Sequence, residues 1–212
     1  MSDINVLALV GSLRAASVNR QIAALAAETA PAGITVTVYH GFGAGLGELP
    51  LYNEDIDNPA DLPASASTLR DAVAHADAIL VVTPEYNGSI PGALKNAIDW
   101  LSRPHQQNAL LAKPLAVIGA AMGQYGGVWA HDETRKSFGI AGADVVDAPA
   151  LSLPIDALGG KPPRESHDVV ASLNDVLTKL AAEAGRPGWC RRAADELYLG
   201  ADSRPETFLW SG

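Results

Sequence analysis

Five short apolar runs limit what this chain can fold into: INVLALV at 4–10, ITVTVY at 34–39, AILVVT at 78–83, PLAVIG at 114–119 and DVVDA at 144–148. The densest of them leave no alternating polar position for a solvent-facing side, which is the pattern of parallel strands covered on both faces. The segments between them, at 17–30, 63–76, 92–102, 128–141 and 167–184, read as helices. Parallel neighbours are joined by crossovers of a dozen residues or more, which run right-handed and lay helices on both sides of the sheet. The expectation is an α/β fold in three layers, with a doubly wound sheet of five parallel strands. With 212 residues, 48% of them hydrophobic, there is enough chain for one such core and too little for two.

Two segments depart from the alternation. The link HGFGAGLGELPLYNEDIDNPADL at 40–62 is long for a connection inside a compact domain and is expected to form a functional rim or an interface piece. The stretch 185–212 opens on GRPG, a helix stop, and carries Trp189, Tyr198, Phe208 and Trp210. Disordered tails are poor in aromatics. The division expected is therefore a body over 1–184 and a C-terminal extension over 185–212 packed on the body or on a neighbouring subunit.

Charge and cysteine content narrow the function. A formal net charge of -9 repels phosphate backbones and anionic lipid, so nucleic acid and membrane surfaces are not expected partners. The single cysteine, Cys190, permits no intrachain disulfide. No basic n-region precedes the first apolar run and no run approaches 18 residues. A cytoplasmic location is expected. The histidines, at 40, 75, 105, 131 and 167, include no pair spaced to clasp a metal from one helix face, and no metal site is assigned.

In a doubly wound sheet the ligand crevice opens beyond the carboxyl ends of the strands, where the strand order reverses. Three loops there carry chemistry. GSLRAASVNR at 11–20 is neither GxGxxG nor GxxxxGK[ST]. Its Ser12, Arg14, Ser17 and Asn19, together with the unpaired N–H groups of a helix start, suit an anion; the alternative is an ordinary Ser17 N-cap with Arg14 in solvent. In TPEYNGSIPGALKNAIDW at 83–100, Gly88 permits a tight turn and Pro91 starts a helix. A turn of this kind presents N–H groups to the edge of a flat heteroaromatic ring, and Tyr86 offers an aromatic face; the alternative is a plain turn with a surface tyrosine. In GAAMGQYGG at 119–127, small residues allow close approach of a ligand, as they do in many links that bind nothing.

Taken together, GSLRxxSxNR, LPLYNEDI at 49–56 and PEYNGSIPGALKNAIDW resemble the NADPH-dependent FMN reductase family, which includes quinone, chromate and azo-dye reductases, over about residues 4–184. That resemblance implies a flavodoxin-like sheet of order 2-1-3-4-5 and bound FMN. Ser12, Arg14, Ser17 and Asn19 would hold the phosphate. Pro84, Glu85, Tyr86, Asn87 and Gly88 would line the isoalloxazine, and Ala121, Met122, Gly123 and Gly126 its edge or the ribityl chain. The chain departs from the family at Arg20, a position variable among relatives, at Gly88, where some relatives have an aromatic, and in its longer tail.

The activity implied is hydride transfer from NADPH or NADH through flavin N5 to a quinone or similar small acceptor, with ping-pong kinetics and no side-chain acid or base. A homodimer or homotetramer is expected, with Trp100, Tyr125, Trp129 and the tail aromatics as interface candidates, the alternative being that each fills its own core. Glu85 with Asp99, and His131 with Asp132, are not expected to form catalytic pairs, and no GxSxG elbow supports a hydrolase. Glu54, Asp55, Asp57 and Asp61 read as a solvated rim. The competing readings are a flavodoxin-type electron carrier and a domain that keeps this fold without flavin.

Overall fold

The computed structural model describes residues 3–148 and 151–186. Six strands and five α-helices follow one another as β1 (Ile4–Val10), α1 (Val18–Thr29), β2 (Ile34–Val38), α2 (Ala64–His75), β3 (Ala78–Val82), α3 (Gly92–Leu101), β4 (Pro114–Ala121), α4 (Val128–Ile140), β5 (Asp144–Val145), β6 (Ser152–Pro154) and α5 (His167–Ala184). All pairings between these strands are parallel, in the order β2-β1-β3-β4-β5. The aromatic stretch 187–212, with Cys190, lies outside the described residues.

The central strands alternate between two cores. On β3, Ala78, Leu80 and Val82 face one hydrophobic cluster with Ile22 of α1 and Leu173, Leu177 and Leu180 of α5. Ile79 and Val81 face the other, with Leu69 of α2, Leu94 and Trp100 of α3 and Phe138 of α4. Burying a side chain of this size stabilises the fold by roughly 1.5–3 kcal/mol, and every residue of β3 and β4 is buried. The apolar density of these runs is thus explained by burial on both faces.

The sheet differs from expectation at its far edge. The run 144–148 forms a strand only over Asp144–Val145, and a second short piece, β6, pairs further along β4 through Gly119↔Ser152, Ala120↔Leu153 and Ala121↔Pro154. Two fragments thus share the place of one long fifth strand. Polar Asp144, Asp147 and Ser152 make this an edge without the unbroken apolar run of the interior strands.

The 40–62 link is built rather than slack. Glu48 accepts from the N–H groups of Phe42 and Ala44, both at 2.7 Å. Asn96 and Trp100, one helical turn apart on α3, donate to the Pro50 carbonyl at 2.9 and 2.8 Å, and Asn96 Oδ1 accepts from Tyr52 N at 2.8 Å. Trp100 is fully buried against this link with Tyr52 edge-on at 5.0 Å. It is therefore core and not an interface residue, because its indole N–H finds its partner inside the subunit. The acidic cluster is corrected at one member. Asp57 is 10% exposed and takes a two-pronged ion pair from Arg70 at 2.7 and 2.8 Å, while Arg70 also donates to the Trp100 carbonyl.

Candidate functional site

Beyond the carboxyl ends of β1, β3 and β4 lies a cavity of about 400 Å³ lined by Ser12, Arg14, Ser17, Val18, Asn19, Pro84, Glu85, Tyr86, Ala120, Ala121, Met122, Gly123 and Ile155. It sits at the reversal of strand order, where the crossover from β1 runs outward to β2 on one side and that from β3 runs to β4 on the other. Larger hollows lie between the ends of α3 and α4 and beside Lys161, at about 580 and 630 Å³. Their linings bring together neither the anion-suited loop nor the turn after β3, so lining chemistry and not size selects the site.

One end of the cavity suits an anion. Ser17 caps α1, its Oγ accepting from Asn19 N at 3.2 Å, and retains its O–H to donate. Ser12 is 2% exposed, yet its hydroxyl has no hydrogen-bond partner among the described residues. Arg14 makes no ion pair among them either, although it belongs to the turn closed by Ser17 N to Arg14 O at 3.1 Å. Asn19 works differently from expectation: its side-chain amide donates to Ala120 O at 2.9 Å and accepts from Ala120 N at 2.8 Å, so it ties α1 to β4. Arg20 reaches the Ser12 carbonyl at 3.3 Å and so supports the loop from behind.

The opposite wall is the turn after β3. Tyr86 and Ser89 exchange both backbone hydrogen bonds at 3.1 Å, with Asn87 at φ 55° and Gly88 at φ 73° between them. Two successive positive φ values define the tight two-residue hairpin that Asn-Gly favours. Asn87 and Gly88 form the tip of this turn and do not line the cavity; Pro84, Glu85 and Tyr86 do. Glu85 has a structural task as well. Helix α4 begins at Gly127, which has no side chain to cap it, and Glu85 Oε2 accepts from Ala130 N at 3.2 Å in its place.

The third wall comes from β4 and the loop after it. Ala121, Met122 and Gly123 line the cavity, whereas Gly126 does not. At φ +62°, Gly126 packs directly on the backbone of Ser152 and Leu153, where any Cβ would collide. Met122, Tyr125 and Trp129 stand more than half exposed, Tyr86 is half exposed, and the Tyr125 and Trp129 rings are 5.6 Å apart. Arg103 lies over the Tyr52 ring and lines a different hollow.

Sequence reasoning missed Ser152 as a partner of His131. His131 is fully buried, with Nδ1 2.7 Å from Ser152 Oγ and Nε2 3.0 Å from the Thr83 carbonyl oxygen. Burial pushes its pKa below the ordinary histidine value, and Arg135 adds to the effect against opposing contributions from Thr83, Glu85 and Asp132. Asp132 pairs with Arg135 at 2.8 Å rather than with the imidazole, and Asp99 with Lys95 at 2.6 Å. With a carbonyl where a hydrolase triad needs a carboxylate, the Ser152–His131 pair lacks the third member of such a triad. No local sequence signal joins residues 131 and 152; only the pairing of β6 with β4 does.

A parallel sheet of this order, with its cavity at the reversal and its anion-suited loop on the first strand, defines the flavodoxin-like class of ligand-binding α/β proteins. The model of the NADPH-dependent FMN reductase family matches residues 4–157, and the chain belongs to that family. It is an oxidoreductase of the FMN and NAD(P)H type. It is 42% identical to a quinone reductase of Pseudomonas putida over 161 residues, covering 76% of this chain and 81% of that one. It is 39% identical to an NAD(P)H-dependent FMN reductase of Pseudomonas aeruginosa over 135 residues, covering 64% and 69%. Among solved structures, the flavoenzyme NAD(P)H:(acceptor) oxidoreductase of Paracoccus denitrificans superposes with a TM-score of 0.73 at 30% identity, covering 85% of this chain and 98% of the other.

Proposed function

We propose that this protein reduces quinones or similar small acceptors with electrons from NADPH or NADH, using FMN held in the cavity between the 11–20 loop and the 83–88 turn. The observation that carries this reading is the cavity itself, which gathers a serine hydroxyl and an arginine that are both unpaired among the described residues, with a helix start, at one end, and a wall of Pro84, Glu85 and Tyr86 at the other. Its volume falls in the range of small-molecule sites. FMN fits these residues: a dianionic phosphate suits Ser12, Arg14, Ser17 and the first N–H groups of α1, and a flat ring suits a wall of Pro84, Glu85, Tyr86, Ala121, Met122 and Gly123.

When bound, FMN supplies two-electron chemistry, taking hydride from the nicotinamide and passing the electrons on, so that NAD(P)H, a proton and a quinone become NAD(P)+ and a hydroquinone. The chain's own contribution is position and electrostatics. Arg14 would neutralise phosphate charge, Asn19 holds the 11–20 loop against β4, and Pro84, Glu85 and Tyr86 give the ring a wall to lie against. Small residues at the end of β4 allow close approach. The two half-reactions use one space in turn, which gives ping-pong kinetics. Exposed Tyr86, Tyr125 and Trp129 beside the mouth are where a second copy would close over the ring, making a homodimer or homotetramer.

The test is reconstitution with FMN followed by turnover of NADPH and of NADH with a simple benzoquinone. Rapid nicotinamide oxidation with parallel double-reciprocal lines is the expected outcome. Tight FMN uptake with negligible turnover would make the protein an electron carrier, and failure to take up FMN would overturn the reading altogether.

A further inference from the structure

The buried imidazole behind the ring-facing turn is unused by the function proposed above, and its two hydrogen bonds determine its state. The Thr83 carbonyl oxygen can only accept, so Nε2 carries the proton; in the neutral ring Nδ1 is then an acceptor, and the Ser152 hydroxyl donates to it. Thr83 is the last residue before Pro84, and its peptide sets the direction in which the hairpin leaves β3. The Thr83 side chain adds a second restraint, its Oγ1 donating to Pro84 O at 3.0 Å. On the opposite side, Gly119 leaves room for the Thr83 carbonyl, which a Cβ at residue 119 would overlap. Thr83 N donates to Ile118 O at 2.9 Å. The imidazole therefore touches a carbonyl at the junction of β3 with the turn, packed against Gly119 of β4, and through Ser152 it fastens β6 to the same point.

We propose that His131 is a positioning residue for the ring-facing turn: it fixes the Thr83 carbonyl and through it the course of Pro84, Glu85 and Tyr86 along the cavity wall, and Ser152 locks the imidazole in the required tautomer. It does not relay protons, because its inner hydrogen bond ends on a carbonyl oxygen that cannot pass a proton on. The assignment to flavin rests on the function proposed above; the hydrogen-bond chain does not.

The test uses the full-length protein. In the wild type, ¹⁵N NMR of the imidazole at neutral pH should give the neutral Nε2–H tautomer, and an Nδ1–H tautomer or an imidazolium would overturn the proposal. Wild-type FMN binding is measured first, so failure there removes the functional reading before any variant is examined. His131→Leu leaves the carbonyl unpaired and should weaken FMN binding about ten- to hundredfold, with a shifted flavin visible spectrum and unchanged far-ultraviolet circular dichroism. His131→Gln, whose amide N–H reaches toward the same carbonyl, should restore most of the affinity. Leu binding as tightly as wild type, or Gln as weakly as Leu, counts against the proposal. Should the Leu variant fail to fold, Ser152→Ala serves in its place: a mixed tautomer population with weakened FMN binding supports the assignment, and wild-type behaviour in both measurements overturns it.

Discussion

Arg14 and Arg70 carry the same charge and are used in opposite ways. Arg14 has no ion-pair partner among the described residues and lines the cavity. Arg70 is 16% exposed and satisfied three times over, by both oxygens of Asp57 and by the Trp100 carbonyl. Replacing Arg14 by Ala should therefore leave the melting temperature near its wild-type value while weakening FMN binding roughly ten- to hundredfold, the scale of a charge-assisted hydrogen bond; calorimetric titration measures it, and unchanged affinity would remove Arg14 from the phosphate site. Replacing Arg70 by Ala should cost about 3 kcal/mol, because it strands a poorly hydrated carboxylate. The hydrogen bond from Arg70 is the largest cause of the lowered Asp57 pKa. A carboxyl whose pKa is depressed on folding contributes stability above its unfolded value near 3.8, and that contribution is lost as pH falls through that value toward the lower folded one. Denaturant titrations from pH 6 down to pH 3 should thus lose stability less steeply in the Arg70 variant than in the wild type.

At the scale of elements, close approach of backbones decides which glycines matter. Gly119 lies within β4, where a Cβ would overlap the Thr83 carbonyl and stand 2.8 Å from Asn19 Oδ1. Gly92 opens α3 with nothing within 4 Å of where a Cβ would be and an ordinary φ. The same substitution should therefore have opposite signs at the two places. Gly119→Ala should destabilise the fold by about 3 kcal/mol, by forcing β3 and α1 away from β4; Gly92→Ala should be neutral or stabilise by about 0.5 kcal/mol through reduced freedom of the unfolded chain. Thermal melts of the pair decide this, and equal effects would mean that contact geometry is not what sets the difference. The hairpin at 86–89 follows the same logic on a smaller span, since Asn87 and Gly88 both take positive φ and so fix where Glu85 and Tyr86 stand.

For the whole molecule, apolar density carried the broad outline. The positions of β1 to β4 and of all five helices could be read from the sequence to within two residues, because burial on both faces leaves a mark on every residue of a strand and an amphipathic face leaves one on every turn of a helix. The three loops around the cavity were legible by their place after β1, β3 and β4, whereas serine, glycine and proline at a strand end serve plain caps and turns equally well, so the ligand came from the resemblance and not from the residue types. Ten of the thirteen residues read as cofactor-binding line one cavity; Asn87, Gly88 and Gly126 instead shape the walls from outside it. The broken fifth strand, the burial of Trp100, the Asp57–Arg70 pair and the His131–Ser152 link were decided only by tertiary structure. Each depends on partners 13 to 50 residues apart, and a sequence records the chemistry of a residue but not the distance to another. An aspartate in an acidic run and a histidine on a helix look the same whether water or an arginine, a serine or a carbonyl faces them. Local pattern is enough to fix the layers because the hydrophobic effect acts on each residue by itself, whereas a hydrogen bond needs two groups brought together, and only the folded chain brings them.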